Sequence, residues 1–389
     1  MENKNEWRKI KLGEVAEYIS EKINSSILER KNYISTENML PNNNGITLAS
    51  SIPINTKVNK FQEEDILISN IRTYLKKIWK ATFNGGSSND VLIIRKTKNN
   101  ILSKYIYYTL TQDSFFNYAT ATSKGTKMPR GDKDSIMNYE FLLPSLQFQK
   151  KIVKILSDID EKIELNNKIN DNLEKLIFLI YQNIFSNNII KKECKMNEYF
   201  DISIGKTPPR KNQEYFSNNS DNNLWVSILD MKSSGIYINK SSEYLTDEAI
   251  KKCNIKIIPK NTLLLSFKLT IGRIAITYLD KTTTNEAIAH FLTDKKGATE
   301  HLYCYLKKFN FNTLGSTSSI ATAVNSKIIK EMPFIVPQEK DLENFYNLVK
   351  PLFENIKNNQ IASEKLINLK NYLLPRLMNG EIDVEKIEL

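Results

Sequence analysis

Short segments of this 389-residue sequence recur in the same order at a nearly constant separation. The segment Asp65–Trp79, DILISNIRTYLKKIW, matches Thr262–Ile276, TLLLSFKLTIGRIAI, and aligns Ser69 with Ser266. SSND at 87–90 matches TTNE at 283–286, and YYTL at 107–110 matches YCYL at 303–306. A repeat of this length constrains the fold strongly, because both copies must bury the same pattern of apolar side chains. It predicts two copies of one plan, each a globular part followed by a helical part.

The globular parts have the pattern of mixed α and β structure. DILIS, VLIIR, FLLP and TLLLSF are short apolar runs that are typical of strands. KYIYYTLTQDSFF and EHLYCYLKKF have the spacing of short amphipathic helices. The predicted fold class is therefore α+β, with two mixed α/β domains joined by two long helices in a pseudo-two-fold repeat. The pattern does not give the order of strands in a sheet.

Two long heptad tracts follow the globular parts. After Pro144, apolar residues recur at heptad positions a and d from Ile152 to Ile184. The same frame returns after Pro337, from Phe345 to Leu377. Such a seam over several heptads predicts a coiled coil. A helix over residues 146–185 would be roughly 60 Å long at 1.5 Å per residue.

Polar residues interrupt both seams near their midpoints. Asn166 and Asn170 break the first tract, and Asn359 and Ser363 break the second. If the helices pair antiparallel, these residues meet in one buried polar layer, which penalises a slip of register. The alternative is that all four side chains are simply solvated. The central position of the break in both tracts favours the antiparallel pair.

These patterns place four segments along the chain. The first domain covers 1–145, the first helix 146–190, the second domain 191–337, and the second helix with the C-terminal tail 338–389. Pro351 lies inside the second heptad tract, where it should either kink the helix or mark a later start.

Composition points to an anionic partner and a reducing compartment. The formal net charge is +11, which favours nucleic acid first, although a generally basic proteome would give the same value. Three cysteines without close pairs argue against a disulfide framework or a zinc site. The polar N-terminus does not resemble a signal peptide, and no run of 18 apolar residues could span a membrane. We therefore expect a cytoplasmic protein with no membrane partner.

The segment IGKTPPR ends like a phosphate-binding P-loop without being one. With Gly205 as its second glycine, the motif requires glycine at position 200, which is Phe200. Pro208 and Pro209 then replace the helix that a P-loop needs after its threonine. The sequence also lacks G-x-S-x-G, H-E-x-x-H and G-x-G-x-x-G, and its two histidines have no metal-site spacing. We therefore expect a protein without catalytic residues and without a metal site.

The repeated plan resembles the specificity subunit of Type I restriction–modification enzymes over nearly the whole chain. The segments that carry the resemblance are DILISNIRTYLKKIWKA, GTKMPRGDKDSI leading into LLPSLQFQKKIVKIL, GKTPPR, TTNEAIAHF and LLPRLMNGEI. The sequence departs from the family pattern at the second proline-led junction, where VPQEKDLENF replaces a PxxEQ-like stretch. This departure bears on where the second long helix starts.

The resemblance implies a DNA-recognition subunit without chemistry of its own. The globular parts would be target recognition domains, each reading one half of a bipartite double-stranded DNA sequence. The helices would set the spacing and dock two modification subunits, and restriction subunits with translocase activity would complete the assembly. S-adenosylmethionine, ATP and magnesium would bind to those partners, with no cofactor in this chain.

The candidate DNA contacts are basic or polar residues in loops of both copies. In the first copy they are Arg72, Tyr74, Lys76 and Lys77, followed by Lys124, Lys127, Arg130 and Lys133 in a Gly/Lys-rich loop, and in the second copy Lys206, Thr207, Arg210, Lys211, Lys268 and Arg273. A solvated surface side chain is an equal alternative at any one position. Ser69, Ser266, Asn89 and Asn285 are expected to have structural roles. Two other functions stay open, a stand-alone DNA-modifying or DNA-cleaving enzyme and a coiled-coil adaptor.

Overall fold

We describe a computed structural model of the chain, which covers residues 7–186, 192–314 and 324–387. The chain divides into two compact units. Unit 1 comprises Met1–Ile163 and Lys365–Leu389, and unit 2 comprises Glu164–Glu364. Both long helices contribute to each unit. The boundary predicted between residues 190 and 191 lies outside the described residues.

Unit 1 contains ten strands and three short helices in its described part, followed by the start of the first long helix. The strands are β1 (Arg8–Lys11), β2 (Ala16–Tyr18), β3 (Lys22–Asn24), β4 (Tyr33–Ile34), β5 (Lys57–Phe61), β6 (Ile66–Ser69), β7 (Ile78–Lys80), β8 (Gly85–Ser87), β9 (Val91–Lys96) and β10 (Glu140–Leu143). The helices are α1 (Ser103–Leu110), α2 (Asp113–Ala121), α3 (Lys133–Met137) and the long α4 (Leu146–Phe185), which continues into unit 2.

The described part of unit 2 contains eleven strands, five short helices and most of the second long helix. The strands are β11 (Lys192–Lys195), β12 (Asp201–Ile204), β13 (Phe216–Ser217), β14 (Asn223–Val226), β15 (Tyr237–Ile238), β16 (Glu243–Leu245), β17 (Leu263–Ser266), β18 (Ile274–Thr277), β19 (Thr282–Thr284), β20 (Ile288–Leu292) and β21 (Pro333–Val336). The helices are α5 (Met196–Tyr199), α6 (Ile228–Ser233), α7 (Asp247–Cys253), α8 (Ala298–Lys308), α9 (Ser326–Lys330) and the long α10 (Glu339–Met378), whose last residues belong to unit 1.

The two units repeat one sheet topology. The order β2-β9-β6-β7 in unit 1 corresponds to β12-β20-β17-β18 in unit 2, where β15 extends the sheet. A second four-stranded sheet lies beside each of these, ordered β3-β5-β8-β4 in unit 1 and β13-β16-β14-β19 in unit 2. In both units the first strand pairs antiparallel with the last strand before the long helix, β1 with β10 and β11 with β21. The predicted α+β fold class with an internal repeat is confirmed.

The central strand of each unit lies between two hydrophobic cores. In β6, Ile66 and Ile68 face one core and Leu67 faces the other, because neighbouring side chains on a strand point to opposite faces. In β17, Leu263 and Leu265 likewise face one core and Leu264 faces another. Burial on both faces explains why these strands have continuous apolar sequences rather than alternating ones.

Within each unit, the segments of α4 and α10 pack side by side in antiparallel directions. In unit 1, the Lys370 ammonium lies 2.6 Å from Asp160. In unit 2, Asn166 Nδ2 donates to Ser363 Oγ at 3.1 Å. Asn359 Nδ2 donates to Asn170 Oδ1 at 2.9 Å in the same unit. The residue numbers rise along α4 as they fall along α10, so the antiparallel prediction is confirmed.

The second long helix does not start late at Pro351. It begins at Glu339 and continues through the proline. The proline ring removes one backbone donor from the helix interior, which is unfavourable in an isolated helix. Here Val349 and Phe353 lie on either side of the proline and are both buried in the core of unit 2. Tertiary packing therefore holds the helix through this position.

Candidate nucleic-acid interface

In unit 1, backbone hydrogen bonds join the β6–β7 loop to the Gly/Lys-rich loop. The Arg72 amide donates to the carbonyl of Pro129 at 2.9 Å, and the Gly131 amide donates to the carbonyl of Asn70 at 3.1 Å. Lys124 and Arg130 pair with each other across the second loop at 2.8 and 2.9 Å. Two groups of candidate residues that are far apart in the sequence therefore form one surface, which we call the first basic cluster.

Several cations of the first basic cluster have intramolecular partners. Arg130 pairs with Asp90 at 2.9 Å, and Lys76 pairs with Asp113 at 2.7 Å. Lys77 donates to the carbonyl of Thr36 at 2.5 Å, and its partial burial lowers the pKa of its ammonium. These contacts fix the direction of the three side chains.

Other members of the cluster are more exposed. Arg72, Tyr74 and Lys127 are exposed, and Tyr74 has 51% of its residue surface accessible. Lys124 is exposed and pairs with Asp132. The hydrogen bond from Lys124 is the main reason that the pKa of Asp132 falls to about 2. The first basic cluster therefore has both positioned and solvated cations.

Lys133 does not belong to the loop, contrary to the sequence prediction. It is the first residue of helix α3, and the Asp132 side chain caps that helix by accepting from the Ser135 amide at 2.9 Å. The sequence signal is an aspartate before a short helix, which is a common N-cap. Lys133 is exposed at the edge of the cluster, with its ammonium 5.9 Å from the centre of the Tyr18 ring.

In unit 2, the candidate residues gather around Glu286. The Thr207 hydroxyl donates to the Glu286 carboxylate, which is the main reason that the pKa of this carboxyl is lowered. The charges of Lys268 and Arg210 lower it further. Lys211 is exposed next to Arg210. We call this surface the second basic cluster. Its members are Lys206, Thr207, Arg210, Lys211, Lys268 and Glu286.

The GKTPPR turn packs against strand β19 instead of opening a helix. A Cβ atom on Gly205 would lie 2.0 Å from Thr284 Oγ1 and 2.2 Å from the carbonyl of Asn285, so only glycine fits this close approach. The Lys206 amide donates to the Thr284 carbonyl at 2.9 Å, and its ammonium donates to the Cys253 carbonyl at 2.6 Å. Glycine here permits close packing of two backbone segments.

Arg210 is held by several contacts at once. Its guanidinium makes two hydrogen bonds to the Glu243 carboxylate, each 2.8 Å long. The same group lies 4.3 Å from the ring centre of Phe216 and 4.8 Å from that of Trp225. A bidentate pair with aromatic stacking gives an arginine a fixed geometry.

Arg273 braces a loop within unit 2. Its guanidinium donates to the carbonyl of Ile228, and its backbone amide donates to Ser266 Oγ at 3.1 Å. It is only partly exposed, whereas Lys268 in the same loop is exposed. Of these two candidates, Lys268 has the greater freedom to reach a phosphate.

The sequence interpretation did not single out the carboxylates of the two clusters. Asp90 holds Arg130 in the first cluster, and Glu286 holds Thr207 in the second. Asp90 is the last residue of SSND, and Glu286 is the last residue of TTNE. An acidic residue at the same place in both matched segments was a signal that could have identified them.

The serines and asparagines of the matched segments brace loops, as their structural assignment anticipates. Ser69 Oγ donates to the carbonyl of Ile71 at 3.0 Å. Asn89 Oδ1 accepts from the Lys22 ammonium at 2.8 Å, and Asn285 Oδ1 accepts from the Ala287 amide at 3.1 Å.

Both histidines are buried in unit 2, and burial lowers the pKa of each to about 3. His290 forms hydrogen bonds with Ser203 Oγ at 3.1 Å and Thr284 Oγ1 at 2.7 Å. His301 packs against aromatic rings, with Phe185 at 4.6 Å. Among residues 7–186, 192–314 and 324–387, no group of three or more His, Cys, Asp or Glu side chains could hold a metal ion. No helix in the same ranges is long and apolar enough to cross a membrane.

Comparisons with known proteins agree with this architecture. Residues 4–175 match the family model described as Type I restriction modification DNA specificity domain. The HindI specificity subunit of Haemophilus influenzae is 22% identical, and the match covers 97% of this chain and all of that protein. The MjaIX specificity subunit of Methanocaldococcus jannaschii is 25% identical over 75% of this chain and 71% of its own length.

A solved structure shares the fold. The S subunit of a Type I restriction–modification system from M. genitalium superposes with a TM-score of 0.59, at 14% identity, over 97% of this chain and 98% of that chain. Residues 4–175 therefore match the DNA specificity domain of Type I restriction–modification systems, and the chain is similar over most of its length to specificity subunits of such systems.

Proposed function

We propose that each unit reads one half of a bipartite DNA target through its basic cluster. The observation that carries the proposal is the repeated topology, which places a basic cluster beside the equivalent hairpin, β6–β7 or β17–β18, in both units. A chain with two copies of one DNA-binding unit suits a DNA target that consists of two separate half-sites. The residues of the clusters differ between the copies, which suits two different half-sites.

The clusters contain the residue types that the two tasks require. Exposed lysines such as Lys127 and Lys211 suit phosphates, which position a protein on DNA without reading its sequence. Oriented groups such as Arg130, Arg210 and Glu286 suit base edges, because base reading depends on a defined direction of donors and acceptors. We assign base reading to the braced residues and phosphate binding to the solvated lysines.

The long helices would dock two modification subunits. Leu176 and Leu179 on α4 are exposed, and so are Leu369 and Tyr372 on α10. The second pair follows the first by the same 193 residues that separate Pro144 from Pro337. Exposed apolar residues that recur in two copies are typical of two equivalent interaction sites. We propose that each pair contacts one modification subunit.

The chemistry would belong to the partners. S-adenosylmethionine for adenine methylation would bind to the modification subunits, and ATP with magnesium would bind to the restriction subunits. The cytoplasm, where the chain would meet DNA, keeps thiols reduced. Cys194, Cys253 and Cys304 are all free thiols.

The experiment compares the purified chain with the complex that it forms with candidate modification subunits. We expect adenine methylation of DNA by the complex and none by the chain alone. Sequencing of methylated adenines in cells that carry the complex should then give two half-sites and one spacer. Methylation by the lone chain would identify an enzyme instead, and a complex without salt-dependent DNA binding would identify an adaptor.

The docking sites can be tested separately. Leu176→Glu with Leu179→Glu, and Leu369→Glu with Tyr372→Glu, should each remove one modification subunit, because a buried charge without a partner is strongly unfavourable. The mass of the complex measured by light scattering would fall by one subunit in each variant. Lys168→Glu on the same helix, at an exposed ion pair, serves as the control and should leave the mass unchanged. Retention of both subunits by both double variants would contradict the assignment.

A further inference from the structure

The matched hairpin loops share an unusual backbone conformation. In the β6–β7 loop, Arg72 and Lys76 have left-handed φ angles of 53° and 50°. In the β17–β18 loop, Leu269 and Gly272 have φ angles of 60° and 88°. Arg72 and Leu269 are aligned in the repeat, because they are 197 residues apart, as Ser69 and Ser266 are. Lys76 and Gly272 are 196 residues apart, which is the separation of SSND from TTNE. The two copies keep a positive φ angle at these two aligned positions while the residues change.

In both loops, the serine at the end of the preceding strand donates to a carbonyl of the loop, although the accepting residue differs. Ser69 Oγ donates to the carbonyl of Ile71 at 3.0 Å, and Ser266 Oγ donates to the carbonyl of Thr270 at 2.6 Å. The side chain that ends each central strand therefore closes the loop that follows. The bond from the strand-ending serine to its loop is therefore repeated, but the accepting carbonyl is the second residue after Ser69 and the fourth after Ser266.

Leu269 stands out within this plan. Its side chain is fully exposed, at 100% of its reference surface. A left-handed conformation is unfavourable for a leucine, and an exposed side chain gains no burial energy in return. The Thr270 amide donates to the carbonyl of Lys268 at 2.6 Å, which closes a tight turn with Leu269 at its tip. The folded chain itself therefore gives no reason for leucine at this position.

The base of the loop is rigid. The Gly272 amide donates to the carbonyl of Ser266 at 3.0 Å, and the Phe267 amide donates to the carbonyl of Ala287 at 2.9 Å. The Arg273 guanidinium ties the end of the loop to the carbonyl of Ile228. A rigid base presents the tip residue in one defined position, which base recognition requires.

The surroundings of Leu269 are charged and suit a nucleic acid. Lys268 precedes it, and the charge of Lys268 acts on Glu286 together with that of Arg210. An apolar side chain in a basic setting can contact the one apolar group on the major-groove edge of DNA, the 5-methyl group of thymine. An apolar surface for protein docking would instead be expected to contain several apolar side chains together.

We propose that the first left-handed residue of each hairpin loop is a base-contacting tip, and that Leu269 packs against a thymine 5-methyl group in the second half-site. The equivalent tip in the first half-site is Arg72, a residue type that reads guanine. This inference rests on the proposed function, since it adds one base-contacting tip to the braced residues of each unit. It assigns specificity to the different residues that the two copies place at this aligned, positive-φ position.

The test uses the complete complex with modification subunits on its own target, once sequencing of methylated adenines has defined both half-sites. Duplexes are made with thymine or with deoxyuridine in the second half-site, which removes only the 5-methyl groups. For the unaltered complex, we expect about fourfold weaker binding to the deoxyuridine duplex, the effect of one lost apolar methyl contact. For Leu269→Ala, binding to thymine DNA should fall by a similar factor, and the deoxyuridine substitution should then have almost no effect.

Two further variants separate the contact from folding. Leu269→Gly should bind thymine DNA as weakly as the alanine variant but melt at a higher temperature, because glycine relieves the left-handed strain. Leu279→Ala removes a leucine that is 39% exposed at the opposite end of strand β18, and it should bind both duplexes as the unaltered complex does.

The outcomes distinguish this inference from the proposed function. If Leu269→Ala keeps full affinity, or remains as sensitive to deoxyuridine as the unaltered complex, the tip assignment is wrong while bipartite reading can still hold. If the unaltered complex shows no bipartite methylated sequence, the proposed function itself fails and the tip assignment fails with it.

Discussion

At the residue scale, the basic side chains in and near the two clusters differ in whether they already form hydrogen bonds within the protein. Arg210 and Arg130 are bound to carboxylates, and Arg273, outside the second cluster but in the same loop as Lys268, is bound to a carbonyl. Lys127 and Lys211 are exposed and have no partner among the residues that the structure describes. Solvated lysines suit phosphates, whereas oriented arginines suit base edges.

This difference predicts how two lysine variants change DNA binding. Lys127→Gln and Lys211→Gln should each weaken binding of the complex to all DNA sequences equally. Each should also reduce the salt dependence by about 0.9 in the slope of log K against log salt, the value for one phosphate contact. Binding curves at several salt concentrations on target and unrelated duplexes would measure both effects. Lys98→Gln, beyond the far end of strand β9 from Asp90, is the matched control. A loss confined to the target duplex would contradict phosphate binding.

Sequence patterns predicted the residue types of these clusters but not their partners. The motif IGKTPPR gave Arg210 as a candidate, but nothing in it indicates Glu243, which lies in strand β16. Lys133 was assigned to a loop because Gly and Lys surround it, although Asp132 caps a helix there. Such partners depend on contacts between distant segments, which local spacing does not encode.

The buried histidines predict a pH dependence of stability. Burial lowers the pKa of His301 from 6.5 to about 3, so its neutral form is favoured in the folded chain. The stabilisation is complete above pH 6.5 and is lost as the pH falls towards 3, because unfolding then takes up a proton. The loss should be about 2 kcal/mol per histidine at pH 5.

Two substitutions test the contributions of His301 and His290 to stability separately. His301→Phe keeps an aromatic ring in the aromatic cluster and should remove its share of the pH dependence, as measured by urea unfolding at pH 7 and pH 5. His290→Phe removes the ring that bonds Ser203 and Thr284, so it should destabilise the fold by about 1–3 kcal/mol at pH 7. Equal pH dependence in His301→Phe and the unaltered protein would show that His301 does not cause it.

At the scale of elements, the long helices were the most predictable part of the chain. Their heptads are local, so the sequence alone gave both tracts and the central position of the polar residues. The strand order was not predictable, because β9 pairs with β2 and β6 across long stretches of chain. The later helix start considered at Pro351 was wrong for the same reason, since the apolar packing that holds the helix is tertiary.

We expect the polar layer to lower the stability of the helix pair and to fix the register in which the two helices pair. Asn166 is buried and bonds Ser363, so replacing one side alone would leave a buried polar group without a partner. The fourfold variant Asn166→Leu, Asn170→Leu, Asn359→Leu and Ser363→Ala should therefore melt at a higher temperature but allow the two helices to pair in a shifted register. The register role of Asn166, Asn170, Asn359 and Ser363 stays a prediction until this variant is measured.

Disulfide crosslinking would measure the register. Cysteine pairs placed in the native register and in a register shifted by seven residues should both crosslink in the fourfold variant, and only the native pair in the unaltered protein. Asn167→Leu, at an exposed neighbouring position, is the control and should keep the native register. An unchanged pattern in the fourfold variant would mean that other contacts set the register.

At the scale of the whole molecule, the globular part of each unit begins and ends on one strand pair. In unit 2, Lys192 of β11 lies opposite Val336 of β21. In unit 1, Arg8 of β1 lies opposite Leu143 of β10. A segment whose ends are neighbours can be exchanged without moving the helices that follow it.

This arrangement predicts the result of exchanging residues 191–336 for the second recognition domain of a relative with another target. Sequencing of methylated adenines should show a change in one half-site, with the other half-site and the spacer retained, because the first basic cluster and both long helices are untouched. The core of unit 2 includes Ile177, Phe345 and Val349 from the long helices, so the graft should also lower the melting temperature. The reciprocal exchange of residues 8–143 is the matched control and should change only the other half-site. A change in both half-sites after either exchange would mean that the two domains do not read DNA independently.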